Sequence, residues 1–179
     1  SQLVVDPGDP KHLALRTTYG LLQSMDGGAT WVWVCEKSVG YGGVVDPPLA
    51  ITKDGTLLAG VPDGLSVSHD RGCDFAFAEG DLKGQLVVDV SADKTTPSHA
   101  VALGSTIVGD KVHVVLGAST DDGKTWATLG TPIPDVFIAQ TLDVAPSDAN
   151  RIYVSGTESG PKLPDGGTGT PTALLERSD

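Results

Sequence analysis

The chain has 179 residues, with 23 Asp and Glu against 12 Lys and Arg and a formal net charge of −11. That balance argues against a nucleic-acid partner, because phosphate neutralisation needs clustered basic residues. No apolar stretch approaches about 18 residues, so the sequence predicts no membrane span.

The predicted elements are short strands broken by Gly, Pro, Asp and Asn, with almost no helical periodicity. The first four strands fall within 35 residues and predict a four-stranded antiparallel meander. They are Leu3–Val5, His12–Thr18, Gly20–Ser24 and Trp31–Cys35. Inner strands of later units are predicted near Leu49–Thr52, Leu86–Val90 and Ile138–Val144.

An eight-residue motif recurs along the chain. The segments 24–31 and 119–126 share Ser, Asp, Gly, Thr and Trp, and 68–75 keeps Ser, Asp and Gly with Phe75 in place of the Trp. A fourth copy begins at Ser178-Asp179. Four-stranded repeats of about 40–50 residues are typical of propeller blades.

We therefore predict an all-β chain that forms about half of a β-propeller. Three four-stranded antiparallel blades occupy approximately residues 1–45, 46–83 and 84–135, and a truncated fourth occupies 136–179. Because soluble proteins avoid open edges, the remaining blades should come from the same full-length chain or from a second chain.

The Ser-x-Asp-x-Gly-x-Thr-Trp motif resembles the Asp-box, or bacterial-neuraminidase repeat. This repeat occurs in sialidases, xyloglucanases, sortilin-type receptors and photosystem assembly factors. The resemblance covers nearly the whole chain and implies a propeller. It implies less about function, because the box of this family lies on the hairpin between a blade's third and fourth strands, away from the central site.

The turn chemistry assigns the motif residues a structural role. The Asp should accept hydrogen bonds from the amides of its own turn, the Gly should supply a positive φ, and the aromatic should cover the turn. The residues concerned are Ser24, Asp26, Gly28, Thr30, Trp31, Ser68, Asp70, Gly72, Phe75, Ser119, Asp121, Gly123, Thr125 and Trp126. Calcium at Asp121-Asp122 is the alternative, but one short turn offers too few oxygen ligands, and we predict no metal and no cofactor.

Catalytic groups are hard to find. The Arg triad of sialidases cannot be built from four Arg residues, two of which lie in or beside a motif. Xyloglucanases carry a catalytic Asp in an Arg-Thr-Asp-x-Gly stretch, and Thr18 of Arg16–Gly20 stands where that Asp would lie. Their second carboxylate would fall in a later half. We therefore predict no catalytic residue within this chain.

The leading hypothesis is an exported, non-catalytic propeller that binds or scaffolds a glycan or a protein. It would be extracellular, at the cell surface or periplasmic. The alternative is a glycoside hydrolase of the sialidase or xyloglucanase type, with carboxylates partly in a missing half. An assembly factor for another protein is a third interpretation. The loop acids that could serve the hydrolase are Asp46, Asp63, Asp81, Asp135 and Glu158.

Loops that enter the inner strands of a propeller converge on one end of its channel, so a binding face is expected there. The residues expected to line it are Tyr41, Asp46, Asp81, Asp135 and Phe137. The alternative is that they pack one blade against the next. Cys35 and Cys73 belong to neighbouring blades and form either one disulfide or two unrelated thiols.

Overall fold

The computed structural model describes residues 2–43, 45–109, 111–131, 133–158, 160 and 169–177. Within these residues the chain forms sixteen strands and one helix of four residues, α1 (Glu36–Val39). The prediction of an all-β chain is confirmed. The start of the fourth motif at Ser178-Asp179 lies outside the described residues.

Sheets 1 and 2 are four-stranded meanders with antiparallel neighbours. Sheet 1 consists of β1 (Leu3–Val5), β2 (Leu13–Thr17), β3 (Gly20–Ser24) and β4 (Val32–Val34). Sheet 2 consists of β5 (Leu49–Ile51), β6 (Leu57–Val61), β7 (Gly64–Ser68) and β8 (Ala76–Phe77). Helix α1 lies in the connection between the two sheets and ends at Gly40, whose φ of 99° suits a glycine C-cap.

Sheet 3 is the largest, and it contains a strand that the sequence did not predict. Its meander consists of β10 (Leu86–Ala92), β11 (Ala100–Val108), β12 (Lys111–Ser119) and β13 (Thr125–Thr128). The added strand β9 (Glu79–Gly80) comes from the connection after sheet 2 and pairs in parallel with β13.

Sheet 4 has three antiparallel strands within the described residues. They are β14 (Phe137–Val144), β15 (Ile152–Glu158) and β16 (Thr172–Arg177). The inner strands β10 and β14 each carry a register shift, between Val87 and Asp89 and between Ala139 and Thr141. Such bulges redirect the side chains that follow them.

The core consists of three apolar layers, each between two sheets that follow one another in the chain. Leu21 of sheet 1 packs with Leu57 of sheet 2, and Leu58 of sheet 2 packs with Val90 of sheet 3. Leu103 of sheet 3 packs in the last layer, with sheet 4. The sheets therefore stack face to face in chain order, which places β1, β5, β10 and β14 together.

The face of sheet 1 that points away from sheet 2 has no neighbouring sheet in the described part of the chain. Leu3 is 56% exposed, whereas Leu49 and Leu142, at the same position of β5 and β14, are buried. The described residues contain no helix long and apolar enough to cross a membrane.

Candidate functional site

The three Ser-x-Asp turns are each closed by the same kind of hydrogen-bond network. In the 24–31 turn the Ser24 hydroxyl donates to Asp26 (2.8 Å) and accepts from the Gly28 amide (2.8 Å). Asp26 accepts from the Thr30 amide (2.8 Å) and hydroxyl (2.6 Å). The Trp31 indole donates to the Gly28 carbonyl at 3.0 Å. The Ser24, Asp26, Thr30 and Trp31 side chains of this turn therefore all have a partner inside the turn.

The other two turns repeat this network. Ser119 donates to Asp121 (2.8 Å), which accepts from the Thr125 amide (2.9 Å) and hydroxyl (2.6 Å). In the 68–75 turn Asp70 accepts only from Ser68 and main-chain amides, because Asp74 replaces the Thr. Hydrogen bonds from the Thr30 side chain and amide lower the pKa of Asp26 to about 2.

The second and third turns also contact the sheet before them. A Cβ on Gly72 would overlap the Gln23 side chain of sheet 1, and one on Gly123 would lie 2.7 Å from Leu58 of sheet 2. Trp126 is consequently buried, at 3% exposure, whereas Trp31 is 38% exposed because no described sheet precedes it. The turns fix neighbouring sheets to one another.

Polar contacts reinforce these junctions. Asp122, held at φ 65°, accepts hydrogen bonds from the hydroxyls of Thr52 (2.8 Å) and Thr56 of sheet 2. Arg71, at φ 61° in the equivalent position, makes only an exposed 3.4 Å contact with Asp9 of sheet 1. Neither pair resembles a metal site, and the described residues hold no cluster of three or more His, Cys, Asp or Glu that could bind a metal.

Two imidazoles also lie beside carboxylates at the strand ends. Buried His12 contacts buried Asp6 at 2.9 Å and Gln23 at 3.3 Å. His99 lies 3.6 Å from Asp93 in the equivalent turn of sheet 3. These residues join a strand to the turn before it and face no cavity.

The inner strands form a groove of about 600 Å³. It is lined by residues of all four inner strands and of two adjoining turns: Gln2, Leu3, Val4, Val5, Pro7, Leu49, Ala50, Ile51, Asp89, Val90, Ser91, Ala92, Lys94, Leu142 and Asp143. In this groove, hydrogen bonds from side chains, and not main-chain pairing, join neighbouring inner strands. The Gln2 amide donates to the Leu49 carbonyl and accepts from its N–H, both at 2.9 Å.

Asp89 occupies the position of Gln2 in sheet 3. Its carboxylate accepts from the Leu142 amide of β14 (2.8 Å) and from the Val90 amide (2.9 Å). Burial raises the pKa of Asp89 and the nearby charge of Asp143 adds to this effect, although the two amides oppose it. A carboxyl that is harder to ionise therefore lies in the wall of the groove.

Asp143 and Ser91 complete the polar part of the groove. Asp143 is exposed, and one of its oxygens accepts from the Val144 amide (2.9 Å) and the Ser91 hydroxyl (3.3 Å). Its other oxygen has no hydrogen-bond partner among the described residues and is free to bind a ligand. Neither Asp89 nor Asp143 was among the residues predicted from the sequence, although an acid inside an apolar inner strand is a visible signal.

The structure does not bring the five expected binding-face residues together, and none of them lines the inner groove. Tyr41 and Phe137 are buried in the layers between sheets, as the packing alternative predicted. Asp81 accepts from the Thr128 amide (2.8 Å) and hydroxyl (2.7 Å) at the outer edge of sheet 3. Asp135 binds His113 (2.9 Å) and Lys111 (3.3 Å).

The remaining loop acids are solvated. Asp46 is exposed, and its main-chain carbonyl accepts from Arg16 at 3.2 Å. Asp63 is exposed in the turn between β6 and β7, and Glu158 is exposed at the end of β15. They lie on three different sheets or connections and form no common site.

Of the two alternatives for Cys35 and Cys73, the structure has two free thiols and no disulfide. They line a second, peripheral groove between β4 and the 68–75 turn, together with Trp33 and Arg71. Cys73 is exposed, and Cys35 lies just beyond the end of β4 with its thiol 3.5 Å from the Glu36 carboxylate.

No protein-family model matches the chain, and no curated protein sequence matches it. Solved structures do match. A GH74 enzyme from Niastella koreensis is 20% identical with a TM-score of 0.64, and a GH74 xyloglucanase from Xanthomonas campestris is 22% identical with a TM-score of 0.65. Each match covers 97% of this chain and 28% of that protein.

A third match is the dihydro-heme d1 dehydrogenase NirN, 14% identical with a TM-score of 0.56, covering 97% of this chain and 36% of that protein. All three are β-propeller proteins, and at these identities the likeness shows the fold alone. The four stacked sheets of the chain are therefore similar in fold to part of a β-propeller protein. The chain spans about a quarter to a third of the length of the proteins it matches.

Proposed function

We propose that the chain is part of an exported Asp-box propeller that binds a polyhydroxylated ligand, a glycan, in the groove between its inner strands. It contributes three blades and most of a fourth. The observation that carries the proposal is the exposed Asp143 carboxylate, which keeps one oxygen free inside the groove beside Ser91. A carboxylate oxygen accepts from sugar hydroxyls, and the Ser91 oxygen, whose proton is donated to Asp143, can accept from another.

The apolar part of the groove supports the same ligand class. Ala50, Ile51 and Val90 line it beside the polar group. Apolar walls with a few converging polar groups are typical of small-ligand sites. Lys94 adds one cation at its margin. A sugar ring presents both apolar C–H faces and hydroxyl edges, so it matches such a lining.

Binding without catalysis fits the hydrogen bonding of Asp89. Both of its oxygens already accept main-chain amides, which hold sheets 3 and 4 together. A general acid must instead direct its proton at the leaving oxygen of the substrate. We therefore assign Asp89 to the wall of the groove and Asp143 to the ligand.

The test is a glycan array followed by calorimetry with the 179-residue chain, including a xyloglucan oligosaccharide because one structural match is a xyloglucanase. Asp143→Asn should weaken binding about tenfold, since it removes one charge-assisted hydrogen bond. Asp63→Asn, an exposed acid outside the groove, is the matched control and should bind normally. Equal binding by the Asp143 variant would show that the glycan does not bind in this groove.

A glycoside hydrolase is the second candidate. It is favoured by the raised pKa of Asp89 beside Asp143, since glycosidases pair a protonated carboxyl with an ionised one. It is also favoured by the fold shared with two GH74 enzymes. Reducing-sugar release that is lost in both Asp89→Asn and Asp143→Asn would establish it in place of simple binding.

A further inference from the structure

Strand β4 is an edge strand with an unusually apolar surface. It is the last strand of sheet 1, and no strand lies on its outer side in the described part of the chain. Val32 is 68% exposed and Trp33 is 55% exposed. Exposed apolar edges are sites of strand addition unless they are covered.

Sheet 3 shows how the same edge is covered elsewhere in this fold. Strand β9 runs parallel to β13, with the Glu79 amide donating to the Lys124 carbonyl (3.1 Å) and the Asp81 amide to the Trp126 carbonyl (3.0 Å). Between them Gly80 has a φ of 104°, and a Cβ there would overlap the Trp126 carbonyl. Glycine is therefore required opposite this Trp.

The two edges are equivalent residue by residue. β13 pairs Ala127 with Ala118 of β12, and β4 pairs Val32 with Gln23 of β3, in both cases six residues after the turn's carboxylate. Trp31 consequently stands where Trp126 stands in sheet 3. Sheet 1 therefore has the same main-chain edge that pairs with β9 in sheet 3. Among the described residues, no segment pairs with this edge in sheet 1.

In sheet 2 the connection that arrives from sheet 1 contacts the outer strand without pairing with it. A Cβ on Gly40 would lie 3.0 Å from the Phe77 ring of β8, and no strand lies on the outer side of β8 in the described part of the chain. Among the described sheets, only sheet 3 therefore has the added strand.

The charge beside β4 indicates which segment fits. The peripheral groove along this strand is lined by Arg71 and by uncharged residues, and no Asp or Glu lines it. Arg71 contacts Asp9 at 3.4 Å, but this pair is exposed and weak, so Arg71 can exchange Asp9 for an acidic side chain of an added segment. The chain as a whole carries a net charge of −11. An acidic segment, like the Glu79–Asp81 segment on β13, is therefore attracted here and repelled over most of the remaining surface.

We propose that the outer edge of β4 binds an extended, acidic peptide segment in parallel, with a glycine opposite Trp31 and alternate side chains in the groove beside Arg71. The recognition is strand addition, in which main-chain hydrogen bonds supply affinity and the groove supplies selectivity. The site is separate from the inner groove and does not depend on its ligand.

The test uses a capped hexapeptide with the sequence of residues 77–82, Phe-Ala-Glu-Gly-Asp-Leu, titrated into the isotope-labelled chain. The amide chemical shifts of residues 29–34 and 71–73 should change most. N-methylation of the peptide's Asp nitrogen removes the donor to the Trp31 carbonyl and should weaken binding about three- to tenfold. Replacing its Gly by Val should weaken binding at least as much, because a Cβ is excluded there.

Arg71→Gln should weaken binding of the parent peptide and leave its contact site unchanged. Lys94→Gln, a cation in the inner groove, is the matched control and should bind the peptide normally. Absence of binding by the parent peptide, or equal binding by the N-methylated peptide, would overturn the proposal. Shifts located in the inner groove would overturn it as well.

Discussion

Gly72 of sheet 2 packs directly on the Gln23 side chain of sheet 1, with no room for a Cβ between them. Gln23 in turn contacts the buried His12, so one glycine joins the turn of one sheet to the polar interior of the sheet before it. The Ser-x-Asp turn is therefore a junction between sheets as well as a closed hydrogen-bonded loop.

Gly72→Ala should destabilise the fold more than the matched Gly27→Ala. Both positions have a positive φ, 82° and 76°, so each substitution should cost about 1–2 kcal/mol from the backbone alone. Only Gly72 faces a neighbour, which should add about 1–3 kcal/mol, because nothing lies within 4 Å of a Cβ on Gly27. Urea denaturation of both variants measures the difference, and equal losses would contradict the junction.

Asp122→Gly should cost about 1–3 kcal/mol in the free energy of unfolding, because buried Thr52 and Thr56 lose their shared acceptor. Arg71→Gly relieves the same positive φ at the equivalent position but breaks only an exposed ion pair. Its effect should stay within about 1 kcal/mol. Chemical denaturation decides the matter, and a larger loss for the Arg71 variant would contradict the assignment.

Stability should fall in acid through the turn carboxylates. Burial alone would raise the pKa of Asp121, but hydrogen bonds from Thr125 and Ser119 lower it to about 2. A depressed native pKa stabilises the fold above the unfolded value near 3.8, and this contribution disappears as the pH falls toward 2. The stability difference between the parent chain and Asp121→Asn should therefore shrink between about pH 5 and pH 2. A difference that does not vary with pH would contradict this pKa.

Asp89→Asn should have the opposite pH dependence. Burial raises the pKa of Asp89, so the native state holds a proton more tightly than the unfolded state, and the stability contributed by this group falls as pH rises through the raised value. An Asn side chain avoids the buried charge and can accept from the Leu142 amide, but its NH2 group then faces the Val90 amide. The melting temperature of the variant relative to the parent should therefore be higher at pH 7 than near pH 4. Asp63→Asn, at an exposed site outside the groove, is the control.

Both thiols should titrate in the native chain purified without reductant. Cys73 is exposed and should react with Ellman's reagent before the half-buried Cys35. Blocking both should leave the circular dichroism unchanged, because neither lies within a strand. Fewer than two reactive thiols after denaturation would restore the disulfide interpretation.

The sequence predicted the all-β fold because the repeated turn residues and apolar strands report local chemistry. It could not predict which side chains converge. Tyr41 and Phe137 lie beside connections and were expected at a surface, yet they fill the space between stacked sheets. The bulge between Val87 and Asp89 shifts the alternation of β10, so the direction of the Asp89 side chain could not be counted from the strand pattern. Strand β9, only two residues long, carries no periodic signal.

The nine-residue pairing of β11 with β12, from Ala100 with Ser119 to Val108 with Lys111, has a consequence for the order of folding. All of its contacts lie within 20 residues of chain, so little entropy is lost in closing them, and hairpins of this kind form within about 1–10 µs. Sheet 3 can therefore act as a nucleus. Its two faces then offer templates for sheets 2 and 4, and the chain can assemble outward from its middle.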